Sequence, residues 1–336
     1  MISFSFTERL IEHTSCPKIV NSYGEYMKIA VIGPGAVGCL LGVSFSQAGE
    51  DVHLVDYRPE RVALLREQGI RLQTPGGVSR LLPVPCWLPA DVGPCGLVIM
   101  AVKAHQTAAA AQALPLLLAP GGLALSLQNG LGNLEEMARV VGPERLLAGI
   151  TYLGVTRQAE GQILYAGQGE VIIGAPPGSI VPAPEITEVV ALFQRAGFKC
   201  RSTPDIQTLL WDKLLINAGI NSLTALLRVP NGALPDLPEA WSLAVAAAAE
   251  VRAIARAEGI NLERDPEERL LMVCRATAKN RSSMLQDVLA GRPTEIDSLN
   301  GQVAARGQSL GVPTPVNDLL TRLIRALDAS AQMRVV

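Results

Sequence analysis

Aromatic side chains are scarce, only 4% of the chain, so the interior must be built from Ala, Val, Leu and Ile, a mixture that suits α/β layers and helix bundles. Charge is also sparse. Charged residues make up 18% and nearly cancel to a net −2, which leaves no basic footprint for nucleic acid and no polybasic anchor for a membrane surface. No C-x-x-C pair occurs among the six cysteines (Cys16, Cys39, Cys86, Cys95, Cys200 and Cys274), so zinc-ligand spacing is missing and no metal is expected. Unpaired thiols of this kind fit a reducing compartment, and a cytoplasmic location is the expectation. The longest apolar runs, such as 243–249, fall far short of the ~20 residues that span a bilayer. Glu8, Arg9, Glu12 and His13 interrupt the stretch where a signal peptide would need its apolar segment. Residues 1–26 therefore read as a tail, either disordered or the product of an upstream start codon, with Met27 opening the first strand.

With 336 residues, two domains are the natural expectation. From residue 27 to about 129, short apolar strands (28–32, 52–56, 97–102, 123–127) alternate with helical stretches (36–47, 60–67, 106–118). The strands are almost continuously hydrophobic, as strands buried on both faces of a parallel sheet must be. This is a doubly wound, Rossmann-type α/β layout. Turn residues every few positions from 149 to 175 predict antiparallel strands added to the sheet edge. Beyond Cys200 the composition turns helical, with helices expected over 205–226, 237–258, 267–279, 295–310 and 315–329. Pro315 behind Thr314 has the look of a capped helix start. The expected division is therefore a dinucleotide-binding domain over 27–203 and an all-helical substrate and catalytic domain over 204–336.

Gly33-Pro34-Gly35-Ala36-Val37-Gly38 fits G-x-G-x-x-G between a strand and a helix. The first glycine permits the tight turn, the second lets a pyrophosphate approach the backbone, and the third lets helix and strand pack closely. The phosphates would then meet the positive end of the helix dipole. Asp56, eighteen positions beyond Gly38, stands where a carboxylate can accept hydrogen bonds from the ribose 2′-OH of NADH. Its alternative reading is a capping or solvated carboxylate. Arg58 points the other way, since a guanidinium there can bind the 2′-phosphate of NADPH. Lys103 and Asn129 close the next two strands, where open α/β sheets bind ligands, although either can equally be an ordinary terminus or turn. His105 is read only as a residue opening a helix.

Trp211-Asp212-Lys213-Leu214-Leu215-Ile216-Asn217-Ala218-Gly219-Ile220-Asn221 is the most informative stretch. On a helix, Lys213, Asn217 and Asn221 fall within an arc of about 80°, one polar stripe flanked by Leu and Ile. Asparagine is a poor helix former, and two of them in one helix need a reason. A salt-bridged lysine with structural amides is the bland alternative. Further on, Asn280 and Ser283 would share one helical face, and Thr294 would cap a helix with Glu295 in its first turn.

Taken in order, GPGAVG, VKAHQ, QNGLG, WDKLLINAGINSLTAL, PNGAL, KNRSSMLQD and RPTEIDSLNG resemble the ketopantoate reductases from about residue 27 to 329. The resemblance implies reduction of a small 2-oxo acid, ketopantoate above all, by NADPH or NADH. It implies Lys213 as proton donor; Asn217, Asn221, Asn231, Ser283 and Asn280 as substrate contacts; and Lys103, Asn129 and Glu295 beside the cofactor or the catalytic centre. The family's NADPH habit conflicts with Asp56, whose carboxylate leans towards NADH. Pro34 stands where a smaller residue is common. A β-hydroxyacid dehydrogenase and a non-catalytic dinucleotide-sensing regulator are the rival readings. The expected partner is a small molecule, with neither nucleic acid nor membrane, and a homodimer is kept as an expectation.

Overall fold

The computed structural model describes residues 27–77, 79–167, 169–331 and 333. The expected tail over 1–26 and the thiol of Cys16 lie outside them. By compactness the described residues divide into two units: one holds the chain through Gln128 plus Asn133–Ile206, the other Asn129–Gly132 plus the chain from Gln207 onward.

In the first unit, β1 (Ile29–Ile32), β2 (Val52–Val55), β5 (Cys86–Trp87), β6 (Cys95–Met100), β7 (Leu118–Ser126), β8 (Leu146–Thr151), β11 (Glu170–Gly174) and β12 (Lys199–Ser202) form one sheet. Its order is β5-β2-β1-β6-β7-β8-β11-β12, with every neighbouring pair parallel except β8 and β11. Alternate residues feed two cores. Ile29, Val31, Leu97 and Ile99 enter one cluster, while Ala30, Ile32, Val98 and Met100 enter another. Side chains that alternate across a strand buried on both faces leave no polar position, which is why these segments read as unbroken apolar runs.

The segment expected to add only edge strands does two things. β11 does join the edge antiparallel to β8. The hairpin of β9 (Gly154–Ala159) and β10 (Gln162–Gly167) instead pairs with β3 (Ile70–Gln73) and β4 (Ser79–Leu82) in a separate sheet of order β4-β3-β10-β9. The single helix expected over 106–118 is a 3-10 turn and two short helices, Thr107–Ala111 and Leu114–Leu117. Pro115 cannot donate to the ladder and clashes with the preceding turn, so the helix restarts around it.

The second unit is helical. Ile206–Leu227, Pro238–Ala257, Pro266–Ala276, Ser283–Leu289, Asn300–Leu310 and Pro315–Ala329 surround a core containing Trp211, Leu214, Ile220, Val251, Leu270 and Val303. Helices Ile206–Leu227 and Pro238–Ala257 touch at Gly219, where an added Cβ would lie 3.0 Å from the Ala244 carbonyl oxygen. Asp212 and Arg269 then lock Ile206–Leu227 to Pro266–Ala276 through a forked pair, Nη2 to Oδ2 at 2.7 Å and Nε to Oδ1 at 2.9 Å. Among the described residues no helix is long and apolar enough to cross a membrane.

Two local expectations fail here. Thr294 does not start an α-helix: its hydroxyl and its N–H both donate to Asp328 Oδ2, and residues 296–298 form a 3-10 turn before the helix begins at Asn300. The Thr294 hydroxyl still accepts from the Ile296 N–H at 3.4 Å, so it caps the 3-10 turn while its proton goes to a carboxylate 34 positions away. Asn280 and Ser283 do not share a helix either. Ser282 caps Ser283–Leu289, accepting from the Leu285 N–H at 3.1 Å, so Asn280 lies outside it.

Candidate active site

In the glycine-rich turn of the first unit, Gly33 and Gly38 make the tight turn and the close packing expected of them. Gly33 has φ +97°, and a Cβ there would lie 2.7 Å from the Val102 backbone nitrogen. At Gly38 a Cβ would fall 2.1 Å from the Gly33 carbonyl oxygen, so only glycine lets helix Ala36–Gln47 sit this close to its own turn. Gly35 is different. A Cβ there would meet nothing within 4 Å, and the space it would fill lies at the N-terminus of that helix. Open space at the positive end of a helix fits a pyrophosphate. Pro34 is buried and spends its carbonyl inward, accepting from Cys39 Sγ and Arg61 Nη2.

Asp56 is buried and fully engaged. Its Oδ1 accepts from the Arg58 N–H at 2.9 Å and Arg58 Nε at 3.2 Å; Oδ2 accepts from Arg61 Nη1 at 2.9 Å and Arg58 Nη2 at 3.4 Å. A carboxylate offers about four acceptor positions, and all are filled. The carboxylate pictured as open to a ribose diol is thus closed by two arginines. Arg61, absent from the sequence reading, is the cause. Nothing in its surroundings, a helix written PERVALLREQ, separates it from an ordinary solvated arginine.

Lys103 follows β6 and is half-buried. The turn that carries it is anchored by Gln128, whose Nε2 donates to the Val102 carbonyl at 3.0 Å and to Thr107 Oγ1 at 2.6 Å. Thr107 in turn donates to Asn133 Oδ1 at 2.8 Å. His105 is exposed in the adjoining 3-10 turn.

In the second unit, helix Ile206–Leu227 runs unbroken, so Lys213, Asn217 and Asn221 occupy one face, with Asn221 buried. Burial pulls the Lys213 ammonium down from the ordinary lysine value to about 8, and the negative charge of Glu295 opposes the fall. A lysine poised there can hold and release a proton near neutral pH. The same face continues to Thr224, whose hydroxyl donates to Ser282 Oγ at 2.8 Å. Ser283, next along, is exposed.

Asn231 is held by the Asn280 carbonyl, which accepts its N–H at 3.0 Å, and by Thr277 Oγ1, which accepts from its Nδ2 at 2.9 Å. Its Oδ1 is buried with no partner among the described residues, an acceptor of the kind a bound hydroxyl satisfies. The turn that bears Glu295 also organises its neighbours. The Ser298 carbonyl accepts from the Leu131 N–H at 2.9 Å, which seats the Asn129–Gly132 loop. Gly130, with φ +80°, makes that approach possible, since a Cβ would lie 2.2 Å from the Ser298 oxygen. Asn300 donates to the Ala218 carbonyl at 3.0 Å and to Asn317 Oδ1 at 2.9 Å. Asn317 donates to the Ala247 carbonyl and to Glu250. This fully buried chain of amides behind the lysine helix was not singled out in the sequence.

Five free cysteines are buried, and burial pushes their thiols up, Cys39 to about 12. Thiolate chemistry is therefore not their role.

Residues 29–178 match the family described as ketopantoate reductase PanE/ApbA, and residues 205–328 match the description of its C-terminal part. The chain belongs to the ketopantoate reductase PanE/ApbA family. It is similar to the 2-dehydropantoate 2-reductase of Halobacterium salinarum, 36% identical over 300 residues that cover 89% of this chain and 98% of that protein. Against the enzyme of the same name from Vibrio cholerae the identity is 33% over 306 residues, covering 90% and 99%. The crystal structure of a PanE/ApbA family ketopantoate reductase from Ralstonia eutropha superposes with a TM-score of 0.82 at 31% identity, over 91% of this chain and 100% of that one. D-mandelate dehydrogenase in its ternary structure with NADH and anilino(oxo)acetate superposes with a TM-score of 0.84 at 26% identity, over 91% and 99%. An oxidoreductase with a Rossmann-type sheet and an all-helical second region, as read from the sequence, is the family's architecture.

Proposed function

We propose that this protein reduces ketopantoate to pantoate with a reduced nicotinamide dinucleotide, and that Lys213 is the proton donor. The observation that carries the reading is a half-buried lysine on the helix face it shares with Asn217 and Asn221, drawn down to about 8 by desolvation against the opposing charge of Glu295. Residues 27–203 would hold the dinucleotide, with Gly33, Gly35 and Gly38 shaping the pyrophosphate turn, and residues 204–336 the substrate.

When bound, the nicotinamide supplies a hydride to C2 of the oxo acid. Negative charge then develops on the carbonyl oxygen. The Lys213 ammonium polarises that oxygen and hands it a proton, which combines electrostatic stabilisation with general-acid catalysis. Glu295 keeps the lysine charged at neutral pH against the pull of burial. Asn217, Asn221, Ser283 and the unsatisfied Oδ1 of Asn231 offer neutral hydrogen bonds, suited to a substrate that bears a hydroxyl as well as a carboxylate. Asn280 acts through its carbonyl, which fixes Asn231. The saturated Asp56 and the part-exposed Arg58 beside it favour NADPH over NADH, reversing the lean drawn from the carboxylate alone.

A second reading, a D-2-hydroxyacid dehydrogenase, is favoured by the likeness to D-mandelate dehydrogenase. The two separate in an assay of 2-oxo acids with NADPH and NADH in parallel. The first reading expects the highest kcat/KM for ketopantoate, and preference for an aryl oxo acid would replace it with the second.

A further inference from the structure

Arg61 is a heavily committed cation of the first unit. It lies on helix Pro59–Gln68, only 8% exposed, and meets three separate parts of the fold. Nη2 donates to the Pro34 carbonyl of the glycine turn at 2.6 Å, Nη1 donates to Asp56 Oδ2 at 2.9 Å, and Nε pairs with Glu160 Oε2 at 2.7 Å. Glu160 is shared in turn with Arg157, whose Nη1 lies 3.0 Å from Oε1. Three guanidinium groups therefore face two carboxylates at the end of β2, and the Arg58 guanidinium is the most exposed of the set beside Asp56.

We propose that Arg61 is a positioning residue that sets the choice between the two dinucleotides, acting through Asp56. The proposal rests on the dinucleotide reading above and deepens it. A bare Asp56 at this place would accept from the free 2′- and 3′-hydroxyls of NADH and repel a 2′-phosphate. Arg61 prevents both. It fills one carboxylate oxygen together with Arg58, neutralises the charge in a water-poor corner, and leaves the part-exposed Arg58 guanidinium, whose Nε and Nη2 are held by Asp56, to offer its Nη1 to a phosphate. By the same guanidinium it ties the glycine turn to the β2 end, so the pyrophosphate site and the ribose site keep a fixed spacing.

The test uses binding rather than turnover, with 2′,5′-ADP and 5′-AMP as probes, two nucleotides that differ in the 2′-phosphate. Calorimetric titration of the full chain gives the ratio of their dissociation constants. In Arg61→Leu the preference for 2′,5′-ADP should fall about tenfold or more, the size of one charge-assisted hydrogen bond. Glu160→Gln removes the carboxylate that competes with Asp56 for the Arg61 charge and should raise the preference. Where Arg61→Leu fails to fold, Arg61→Lys, which keeps the charge and loses the fork, should show a smaller loss in the same direction. In an Asp56→Asn background the Arg61 substitution should leave the ratio almost unmoved, because its route of action has been removed. A ratio unchanged in every Arg61 variant, with both probes still binding, overturns the proposal alone. Failure of both probes to bind the wild-type protein overturns the dinucleotide reading and this proposal with it.

Discussion

Replacing Glu295 by glutamine keeps the shape of the turn at Ile296–Ser298 and removes a negative charge that supports the Lys213 ammonium. With burial left unopposed, the lysine must fall below about 8. An opposite charge at close range moves a pKa by on the order of 1 to 3, so the lysine of the variant titrates well below the wild-type midpoint. At pH 7.5, where about three-quarters of the wild-type lysine is protonated, a fall of about 1 to 2 in that midpoint lowers kcat for ketopantoate reduction by a factor of about 3 to 25. At pH 6 most of the loss should be recovered. The sign follows from the direction of the reaction. Reduction consumes the ammonium, so its rate is full below the lysine pKa and is lost as pH rises through it, near 8 in the wild type. Oxidation of pantoate needs the free amine and should gain with pH over the same window. The assay is kcat against pH in both directions at saturating dinucleotide, for wild type and Glu295→Gln. An unmoved midpoint, or one shifted upward, would refute the electrostatic role of Glu295 even if the variant were slow.

Two further substitutions probe the scaffold around the lysine. Gly130→Ala forces a Cβ to 2.2 Å from the Ser298 oxygen at a backbone φ of +80° and should lower stability by about 2 kcal/mol or more in denaturant unfolding; an unchanged midpoint would show that the loop does not need to sit there. Asn317→Ala strips partners from Glu250 and Asn300 in a buried network and should cost about 2 to 4 kcal/mol, a fall in Tm of roughly 5 to 10 °C. A thermal shift under 2 °C would show the network to be dispensable.

The legible parts of the sequence were those whose pattern is local. Strands buried on both faces announce themselves as apolar runs, and G-x-G-x-x-G needs only its own backbone, as the contacts of Gly33 and Gly38 show. A four-residue spacing of Lys213, Asn217 and Asn221 means one face wherever the helix is continuous. What escaped reading depended on partners far along the chain. Thr294 looks like the cap of a long helix, yet it is tied to Asp328 and heads only a 3-10 turn, and Asp56 looks open until Arg61 and Arg58 close it. Asn300, Asn317 and Glu250 sit on three different helices and become one network only in the packed unit. The pairing of β3 with β10 joins strands about ninety residues apart, and short half-polar strands carry no local sign of such a partner.

The most direct test of the central claim is the kcat of Lys213→Ala for ketopantoate. Loss of a positioned general acid predicts a fall on the order of 10² to 10⁴, with the dissociation constant for the dinucleotide nearly unchanged. Turnover within a few fold of the wild-type rate would contradict the assignment of Lys213 as proton donor.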